Sequence, residues 1–252
     1  MHSIEQISKN RIKEIVKLHQ KKFRDEQGIF IAEGFKILEE LIETNADIID
    51  IFALNSTDTT KIKRKITIVD ENTMKKISTT DSPCEIITIA RKKEQNINNF
   101  SNLKKLVLLD SISDPGNLGT IIRSATAFEI DGIILFGNCV DQYSPKVIRS
   151  TTGNLFKIPV INIKNEEEIK RFFSNHTKIA TSLSKENNIS LDDCAKIDKY
   201  IIMLGSEAKG LSENLVKLTD KNIRLEMSRN VESLNLSVSA SIIFYELYIK
   251  II

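Results

Sequence analysis

Apolar positions near the start of the chain follow a helical spacing and then give way to short strand-like runs. Ser8 is a suitable N-cap, and the core-facing positions of the predicted helix after it are Ile12, Ile15, Val16, His19 and Phe23. Short apolar runs bounded by polar residues then predict a helix at 35–43 and strands at 28–33, 48–54, 65–69 and 85–90. This alternation predicts an α/β unit.

A polar stretch rich in asparagine lies between residues 91 and 105 and is typical of a linker or a domain edge. After it, the pattern predicts strands at 106–109, 132–136, 178–182 and 200–204, and helices at about 118–128 and 235–249. The order of strand, helix and strand implies a right-handed parallel unit. We therefore predict an α/β domain at 1–95, a linker at 96–104 and a second α/β domain at 105–252.

The composition excludes several classes of protein. Of the 252 residues, 41% are hydrophobic and 28% are charged, which is usual for a globular protein. No apolar run approaches the roughly 20 residues that cross a bilayer, and the start has no secretory pattern, so we expect a cytoplasmic protein. Cys84, Cys139 and Cys194 are far apart and the chain has only three histidines, so neither a disulfide nor a metal site is expected.

The distribution of charge says more than the formal net charge of +2. Between Ser8 and Arg24 a single acid, Glu14, faces seven basic residues: Lys9, Arg11, Lys13, Lys17, Lys21, Lys22 and Arg24. These side chains either form the solvated surface of a helix or follow the phosphates of a nucleic acid. On the second interpretation the candidates for phosphate contacts are Lys9, Arg11, Lys13, Lys17, Lys21 and Arg24.

The segment 109–123 reads Leu-Asp-Ser-Ile-Ser-Asp-Pro-Gly-Asn-Leu-Gly-Thr-Ile-Ile-Arg. A strand that ends in a Pro-Gly turn and starts a helix brings free backbone N–H groups to one point, where an anion can dock. The segment is neither a dinucleotide fingerprint nor a phosphate-binding loop of nucleotide triphosphatases, which disfavours both classes. Alternatively, Asn117 only caps the helix and Arg123 only pairs with an acid.

Two later segments have a similar character. In 201–211, an apolar strand leads into a loop with glycines at both ends and one carboxylate, Glu207, and ligands of open parallel sheets gather at such strand ends. The other segment, 225–240, reads Leu-Glu-Met-Ser-Arg-Asn-Val-Glu-Ser-Leu-Asn-Leu-Ser-Val-Ser-Ala and leads into the last helix, for which Ser233 is a candidate N-cap. Each segment also has a purely structural interpretation, as an ordinary turn or helix start.

Together and in this order, the three segments resemble the signature motifs of the SpoU/TrmH family of RNA 2′-O-ribose methyltransferases, a branch of the SPOUT superfamily. The matching patterns are Asn-x-Gly-x-x-x-Arg, Leu-Gly-x-Glu-x-x-Gly-Leu and Glu-Ser-Leu-Asn-x-Ser-Val. The resemblance extends from about residue 105 to the end of the chain. Residues 1–95, with Ser8-Lys9-Asn10-Arg11-Ile12-Lys13 and Phe30-Ile31-Ala32-Glu33-Gly34, are similar to the ribosomal-protein-like RNA-binding domain often fused ahead of it.

The resemblance implies a C-terminal parallel sheet with a deep trefoil knot, a feature that a sequence pattern alone would not predict. It implies S-adenosylmethionine as cofactor, bound by Leu204, Gly205, Leu225, Met227, Leu234 and Asn235. The catalytic and positioning residues that it implies are Asn117, Arg123, Glu207, Ser233 and Asn235. The family usually has proline before the methionine of the third motif, where this chain has Glu226.

Methyl transfer to a ribose hydroxyl is an in-line displacement, so the enzyme has to align three atoms and weaken an O–H bond. A guanidinium is almost always protonated, which makes Arg123 better suited to gripping a phosphate beside the hydroxyl than to removing a proton. The resemblance also implies a homodimer through the knot helices, for which the apolar residues of the last helix are candidates: Leu236, Ala240, Ile243, Phe244 and Leu247.

Three other functions fit the same residues. The protein could act on transfer RNA instead of ribosomal RNA, although the appended domain favours ribosomal RNA. It could also be a catalytically silent RNA-binding or ribosome-assembly factor, or a methyltransferase that acts on a base.

Overall fold

The computed structural model describes residues 7–82, 84–181, 187–207, 209–228, 230–231 and 233–250. The chain divides into two compact units. The N-terminal unit comprises the residues up to Glu94 together with Asp141–Phe156, and the C-terminal unit comprises Gln95–Val140 and the residues from Lys157 on. The segment 141–156, predicted to belong to the second domain, packs with the first in the structure. The predicted linker 96–104 belongs to the C-terminal unit, where Phe100 is buried in the apolar core.

The secondary structure alternates between helices and strands in both units. The helices are α1 Lys9–Lys17, α2 Lys21–Gln27, α3 Phe35–Glu43, α4 Glu71–Ile77, α5 Ile97–Phe100, α6 Pro115–Ala127, α7 Pro145–Thr151, α8 Glu166–Phe172, α9 Leu191–Ala195, α10 Glu213–Val216 and α11 Leu236–Ile249. The strands are β1 Ile29–Glu33, β2 Ile48–Leu54, β3 Thr67–Val69, β4 Ile86–Arg91, β5 Lys105–Asp110, β6 Gly132–Phe136, β7 Val160–Ile163, β8 Thr177–Thr181, β9 Tyr200–Leu204 and β10 Lys221–Ile223.

The N-terminal unit contains a four-stranded mixed sheet in the order β1-β4-β2-β3. Alternate residues of its strands contribute to two apolar clusters. Phe52 and Val69 pack with α1 and α4, whereas Ala53 and Ile68 join the cluster that contains Leu38 of α3. Because successive strand residues point to opposite faces, α1 and α4 cover one face of the sheet and α3 covers the other.

The first helical stretch is two helices instead of the one that the sequence predicted. The Ser8 hydroxyl accepts a hydrogen bond from the Arg11 N–H at the start of α1, as predicted. The helix ends after Lys17, and Gln20 is extended (φ −98°, ψ 136°) before α2 begins. Lys21 and Arg24 therefore do not continue the face of α1, and Val16 is 38% exposed instead of core-facing.

The segment 141–156 is held in the N-terminal unit by two ion pairs. The buried Arg24 guanidinium donates to Asp141 Oδ2 at 2.6 Å. The Arg149 guanidinium donates to Glu33 Oε2 at 2.8 Å, and Glu33 also accepts hydrogen bonds from Ser78 and Thr79. Both pairs join residues more than 100 positions apart, so the spacing of the sequence could not indicate them.

The C-terminal unit contains a six-stranded sheet, in the order β10-β8-β9-β5-β6-β7, and all of its paired strands are parallel. This confirms the predicted α/β fold with a parallel sheet. The knot stays a prediction. Helices α6 and α11 pack against each other, and the Ser124 and Ser241 hydroxyls contact each other at 2.6 Å.

The described residues contain neither a membrane-spanning helix nor a metal-binding cluster. No helix there is both long and apolar enough to span a membrane. No cluster of three or more His, Cys, Asp or Glu side chains in that part of the chain is placed to hold a metal ion. Cys84, Cys139 and Cys194 are free thiols.

Candidate functional site

The three motif segments meet in one hydrogen-bond network at the carboxyl end of the parallel sheet. Asn117 Nδ2 donates to Glu207 Oε1 at 2.5 Å, and Asn235 Nδ2 donates to Asn117 Oδ1 at 3.0 Å. Glu207 and Asn235 are 90 and 118 positions away from Asn117. The structure thus brings together three of the five residues that the resemblance implied for catalysis.

The orientation of both amides follows from their partners. A carboxylate only accepts hydrogen bonds, so the Asn117 side chain has to present its NH₂ group to Glu207 and its oxygen to Asn235. Asn235 Oδ1 accepts from the N–H groups of Ser237 and Val238, at 2.9 and 3.4 Å, which leaves its NH₂ group for Asn117. The network therefore runs in one direction, from the start of α11 to the carboxylate of Glu207.

The start of α6 positions Asn117. Asp114 is its N-cap and accepts a hydrogen bond from the Asn117 N–H at 2.7 Å, and Pro115 occupies the first helical position, where its missing N–H costs nothing. The helix begins three residues before the predicted start at 118. This brings Asn117 into the first turn, where its side chain is buried and faces Glu207.

Asn235, and not Ser233, is the N-cap of α11. Its Oδ1 caps the helix while its Nδ2 contacts Asn117, so the same side chain performs a structural and a positioning task. The prediction of Ser233 as the cap was wrong by two residues. Serine and asparagine cap helices about equally well, so capping preference alone does not favour Asn235 over Ser233. We attribute the position of the helix start to the contact between Asn235 and Asn117.

The loop after β9 closes on itself. The Gly210 N–H donates to Ser206 O at 2.8 Å, and a Cβ atom on Gly205 would lie 2.0 Å from the backbone of Gly210. The buried Asp110 at the end of β5 accepts from the Ser212 N–H at 2.7 Å and so fixes the far end of this loop. Glycine is required at position 205 because any side chain there would push the two sides of the loop apart.

We expect Gly205→Ala to disrupt this loop, because the new methyl group has to displace backbone atoms instead of a flexible side chain. Affinity for S-adenosylmethionine should fall by about tenfold or more, equivalent to about 1.4 kcal/mol. Isothermal titration calorimetry measures the affinity, and circular dichroism checks that the chain stays folded. A folded Gly205→Ala protein with unchanged affinity would contradict this account of the loop.

Cys139 makes hydrogen bonds to the turn that precedes α6. Its Sγ accepts from the Ile112 N–H at 3.4 Å and donates to the Phe136 carbonyl at 3.2 Å. Burial raises the pKa of the Cys139 thiol, so the neutral form is favoured.

A cavity of about 240 Å³ opens beside the network. Its walls are mostly apolar, with a few hydroxyls and one carboxylate, as in many small-molecule sites. The lining residues are Thr181, Leu204, Ser206, Glu207, Ile223, Leu225, Met227, Ser233, Leu234, Leu236, Ser239 and Ile243.

Comparison with known proteins supports one assignment. The family model of the SpoU rRNA methylase family matches residues 104–245, which is more than half of the chain. The chain belongs to the SpoU rRNA methylase family. This confirms the resemblance drawn from the three motifs. A second family model, the MRM3-like substrate binding domain, matches residues 9–88.

Similar proteins align with almost the whole length of this chain. The chain is 27% identical to 23S rRNA (guanosine(2553)-2′-O)-methyltransferase RlmP of Bacillus subtilis, over 98% of this chain and 99% of the relative. An AdoMet-bound rRNA methyltransferase from Sinorhizobium meliloti is 27% identical, with a TM-score of 0.86 over 99% of this chain and 98% of that one. AviRb from Streptomyces viridochromogenes in complex with AdoMet shares the fold, with a TM-score of 0.85 at 21% identity over 96% of this chain and 98% of that one.

Four of the six residues that the SpoU resemblance implied for the cofactor line the cavity: Leu204, Leu225, Met227 and Leu234. Gly205 and Asn235 are not lining residues, but each lies between two lining residues in the sequence. Ser233 lines the cavity without joining the network. Glu226, at the position where the family usually has proline, is exposed.

Arg123 is outside the network within this chain. It is exposed on α6, six residues after Asn117, so the two side chains point roughly 120° apart around the helix. Among the residues that the structure describes, no hydrogen bond or ion pair joins Arg123 to Glu207 or to any other side chain.

Six lining residues were not predicted as cofactor or catalytic residues from the sequence: Thr181, Ser206, Ile223, Leu236, Ser239 and Ile243. Two of them had a usable signal, because Thr181 and Ile223 are the last residues of β8 and β10, and ligands of parallel sheets bind at that end. Ser239 and Ile243 lie one and two turns beyond Asn235 on α11, and no residue type marked them as site residues.

The predicted RNA-binding cations of the N-terminal unit differ in their availability. Lys9, Lys13 and Lys17 are exposed on α1. Arg11 pairs with Glu14 and Asp50, and Lys21 pairs with Asp25. The sixth candidate, Arg24, is 2% exposed and donates to Asp141 and to the Leu18 carbonyl, so it cannot reach a phosphate. The prediction for Arg24 was therefore wrong.

Proposed function

We propose that this chain transfers a methyl group from S-adenosylmethionine to a ribose 2′-hydroxyl of ribosomal RNA. The observation that carries this proposal is the network of Asn117, Glu207 and Asn235 beside a mostly apolar cavity at the carboxyl end of the sheet. The activity of the Bacillus subtilis relative, 2′-O-methylation of 23S ribosomal RNA, supports the choice of ribosomal RNA.

The cavity suits S-adenosylmethionine in its chemistry. Leu204, Leu225 and Leu234 offer apolar walls to an adenine ring, and Thr181 and Ser206 offer hydroxyls near the ends of two strands. We propose that Gly205, Met227 and Asn235 complete the binding site, with Gly205 allowing close backbone contact. When bound, S-adenosylmethionine supplies an electrophilic methyl group on a sulfonium.

The polar residues would orient the ribose. Asn117 is held from both sides by Glu207 and Asn235, which fixes the orientation of its amide. Among the described residues, Glu207 Oε2 has no partner, so it can accept a hydrogen bond from the substrate or from a guanidinium. Ser233 adds a hydroxyl on the cavity wall. We propose that Arg123 grips the RNA phosphate next to the reacting hydroxyl and aligns it for in-line displacement.

A methylation assay tests the proposed function. Ribosomal RNA, transfer RNA and assembled ribosomal subunits are incubated with the protein and S-adenosylmethionine labelled in the methyl group, and the RNA is digested to nucleosides. We expect label on the 2′-oxygen of ribosomal RNA. Label on a base, label on transfer RNA alone, or cofactor binding without methyl transfer would each contradict the proposal.

We also propose that the N-terminal unit binds the RNA substrate and that the C-terminal unit carries out catalysis. The match of residues 9–88 to a substrate binding domain supports this division. The proposed substrate implies that the protein works in the cytoplasm, where ribosomes are assembled.

We propose that the protein forms a homodimer. The proposed interface is a different face of α11 from the one predicted from the sequence. The predicted interface residues Leu236, Ala240, Ile243, Phe244 and Leu247 are buried in the chain's own core. Four other apolar residues of α11 are 38–48% exposed and lie at helical spacing: Val238, Ile242, Tyr245 and Ile249. We propose that this exposed stripe packs against a second copy, and that Arg123 acts in the partner's site.

We expect Ile242→Glu to produce a monomer, because a charge in the centre of an apolar interface is left without a partner. Methyl transfer should fall with it, since Arg123 would lose the partner's site. Analytical ultracentrifugation at micromolar concentration measures the assembly. Val216→Glu is the matched control, because Val216 is 55% exposed on α10, away from the stripe. A wild-type monomer, or a dimeric Ile242→Glu protein, would contradict the proposed interface.

A further inference from the structure

A basic loop connects β2 to β3 in the N-terminal unit. Residues 61–65 read Lys-Ile-Lys-Arg-Lys, and no acid occurs between Asp58 and Asp70. Its four cationic side chains, Lys61, Lys63, Arg64 and Lys65, are all exposed. This is a higher local density of positive charge than α1 offers with Lys9, Lys13 and Lys17 at four-residue spacing.

Two isoleucines hold the basic loop against the sheet. Ile62 and Ile66 pack on the apolar cluster that contains Leu38, Ile51 and Ile68, on the face covered by α3. The Ile62 N–H also donates to Thr59 O at 3.0 Å. Because these side chains point inward, the charged residues beside them are directed to solvent from a fixed backbone.

The four cations of the basic loop make no ion pair or hydrogen bond to a side chain among the described residues. The acid nearest in sequence, Asp58, accepts hydrogen bonds from Thr60, which lower its pKa, with a smaller contribution from the charge of Lys61. By contrast, Arg11 of α1 contacts two acids, and Arg24 is buried. The positive charge of the basic loop is therefore available to an external anion.

We infer that the basic loop, residues 61–65, is a contact surface for the phosphate backbone of the substrate RNA. This inference rests on the proposed function and adds a location to it. The loop lies on the α3 face of the sheet, whereas α1 covers the opposite face, so the inferred surface differs from the one that the sequence analysis named.

The chemistry of the basic loop favours RNA over a membrane. A membrane-surface segment combines cations with exposed large apolar side chains that enter the lipid. Here both isoleucines are partly buried in the unit's own core. Exposed Lys and Arg side chains without an apolar partner fit phosphate contacts, which position a nucleic acid without reading its sequence.

The test compares two full-length proteins with the same change in charge. One carries Lys61→Gln, Lys63→Gln, Arg64→Gln and Lys65→Gln, and keeps Ile62 and Ile66. The matched control carries glutamine at four exposed lysines of the C-terminal unit: Lys164, Lys196, Lys217 and Lys221. Fluorescence anisotropy with protein-free 23S ribosomal RNA fragments measures the Kd over a range of salt concentrations.

We expect the loop variant to bind RNA about tenfold more weakly or worse. The slope of log K against log salt concentration should become shallower by about 0.7–0.9 for each phosphate that the variant no longer neutralises. The slope should therefore change by about 3 if all four cations bind phosphates. The control should keep the wild-type slope, and both proteins should bind S-adenosylmethionine equally well.

Three results would overturn the inference: a loop variant that binds RNA like the control, loss of RNA binding only when Lys9, Lys13 and Lys17 are replaced, or a loop variant that loses binding only to phosphatidylserine vesicles. Failure of the proposed function is seen separately. The proposed function fails if the wild-type protein transfers no methyl group to a ribose. The inference about the basic loop is tested by the affinity for RNA, which can be measured without methyl transfer.

Discussion

Replacing Arg123 with alanine is expected to lower kcat for methyl transfer by about 10²–10³-fold, the loss typical of removing a single group that stabilises a transition state in a dry site. The affinity for S-adenosylmethionine should stay near the wild-type value, because Arg123 does not line the cavity. Folding should also be unaffected, since the side chain is exposed and has no partner among the described residues. Steady-state assays with saturating RNA measure kcat, and a parallel titration measures the affinity for the cofactor.

The controls separate a specific role of Arg123 from a loss of positive charge. Arg171→Ala removes an exposed arginine from α8 of the same unit and should retain full activity. Arg123→Lys keeps the charge but loses the two-pronged grip on a phosphate, so it should recover little of the rate. Substantial turnover by Arg123→Ala, or full recovery with lysine, would show that Arg123 does not orient the RNA as proposed.

The sequence predicted the elements of the C-terminal site better than their contacts. The bounds of β6 and β9 follow directly from the apolar runs at 132–136 and 200–204, because buried parallel strands are apolar throughout. The three motif segments were also identified, since their polar residues follow buried strands or precede helices. What local pattern could not decide was which of two good capping residues, Ser233 or Asn235, begins α11.

Long-range contacts explain most of the remaining differences. The sequence predicted one helix at the start of the chain, because apolar positions there recur at helical spacing, and it left the cations beside them as either a solvated surface or a set of phosphate contacts. The structure ends α1 at Lys17 and buries Arg24 against Asp141, 117 positions away. The predicted dimer interface failed for the same reason. The sequence shows that α11 is apolar around its whole circumference, but it does not show which of these residues pack in the chain's own core.

Arg24→Leu is expected to destabilise the N-terminal unit by about 3–5 kcal/mol, the cost typical of removing one partner of a buried ion pair. Arg24 and Asp141 have side chains that are 3% and 11% exposed. The substitution leaves the Asp141 carboxylate without its counter-ion, and the carbonyls of Leu18 and His19 lose the hydrogen bonds that Arg24 donates at the end of α1. Urea denaturation followed by circular dichroism measures the change in the free energy of unfolding.

Arg91→Leu is the matched control, because Arg91 forms an ion pair with Asp47 in the same unit whose side chains are 58% and 65% exposed. Exposed pairs contribute about 0–1 kcal/mol, so this variant should unfold almost like the wild type. Arg24→Leu combined with Asp141→Leu should recover part of the loss, because it removes the uncompensated charge as well. If Arg24→Leu instead kept its stability and lost affinity for RNA, the guanidinium would have to leave Asp141 and reach a phosphate, and the assignment of Arg24 to the RNA-binding set would be right after all.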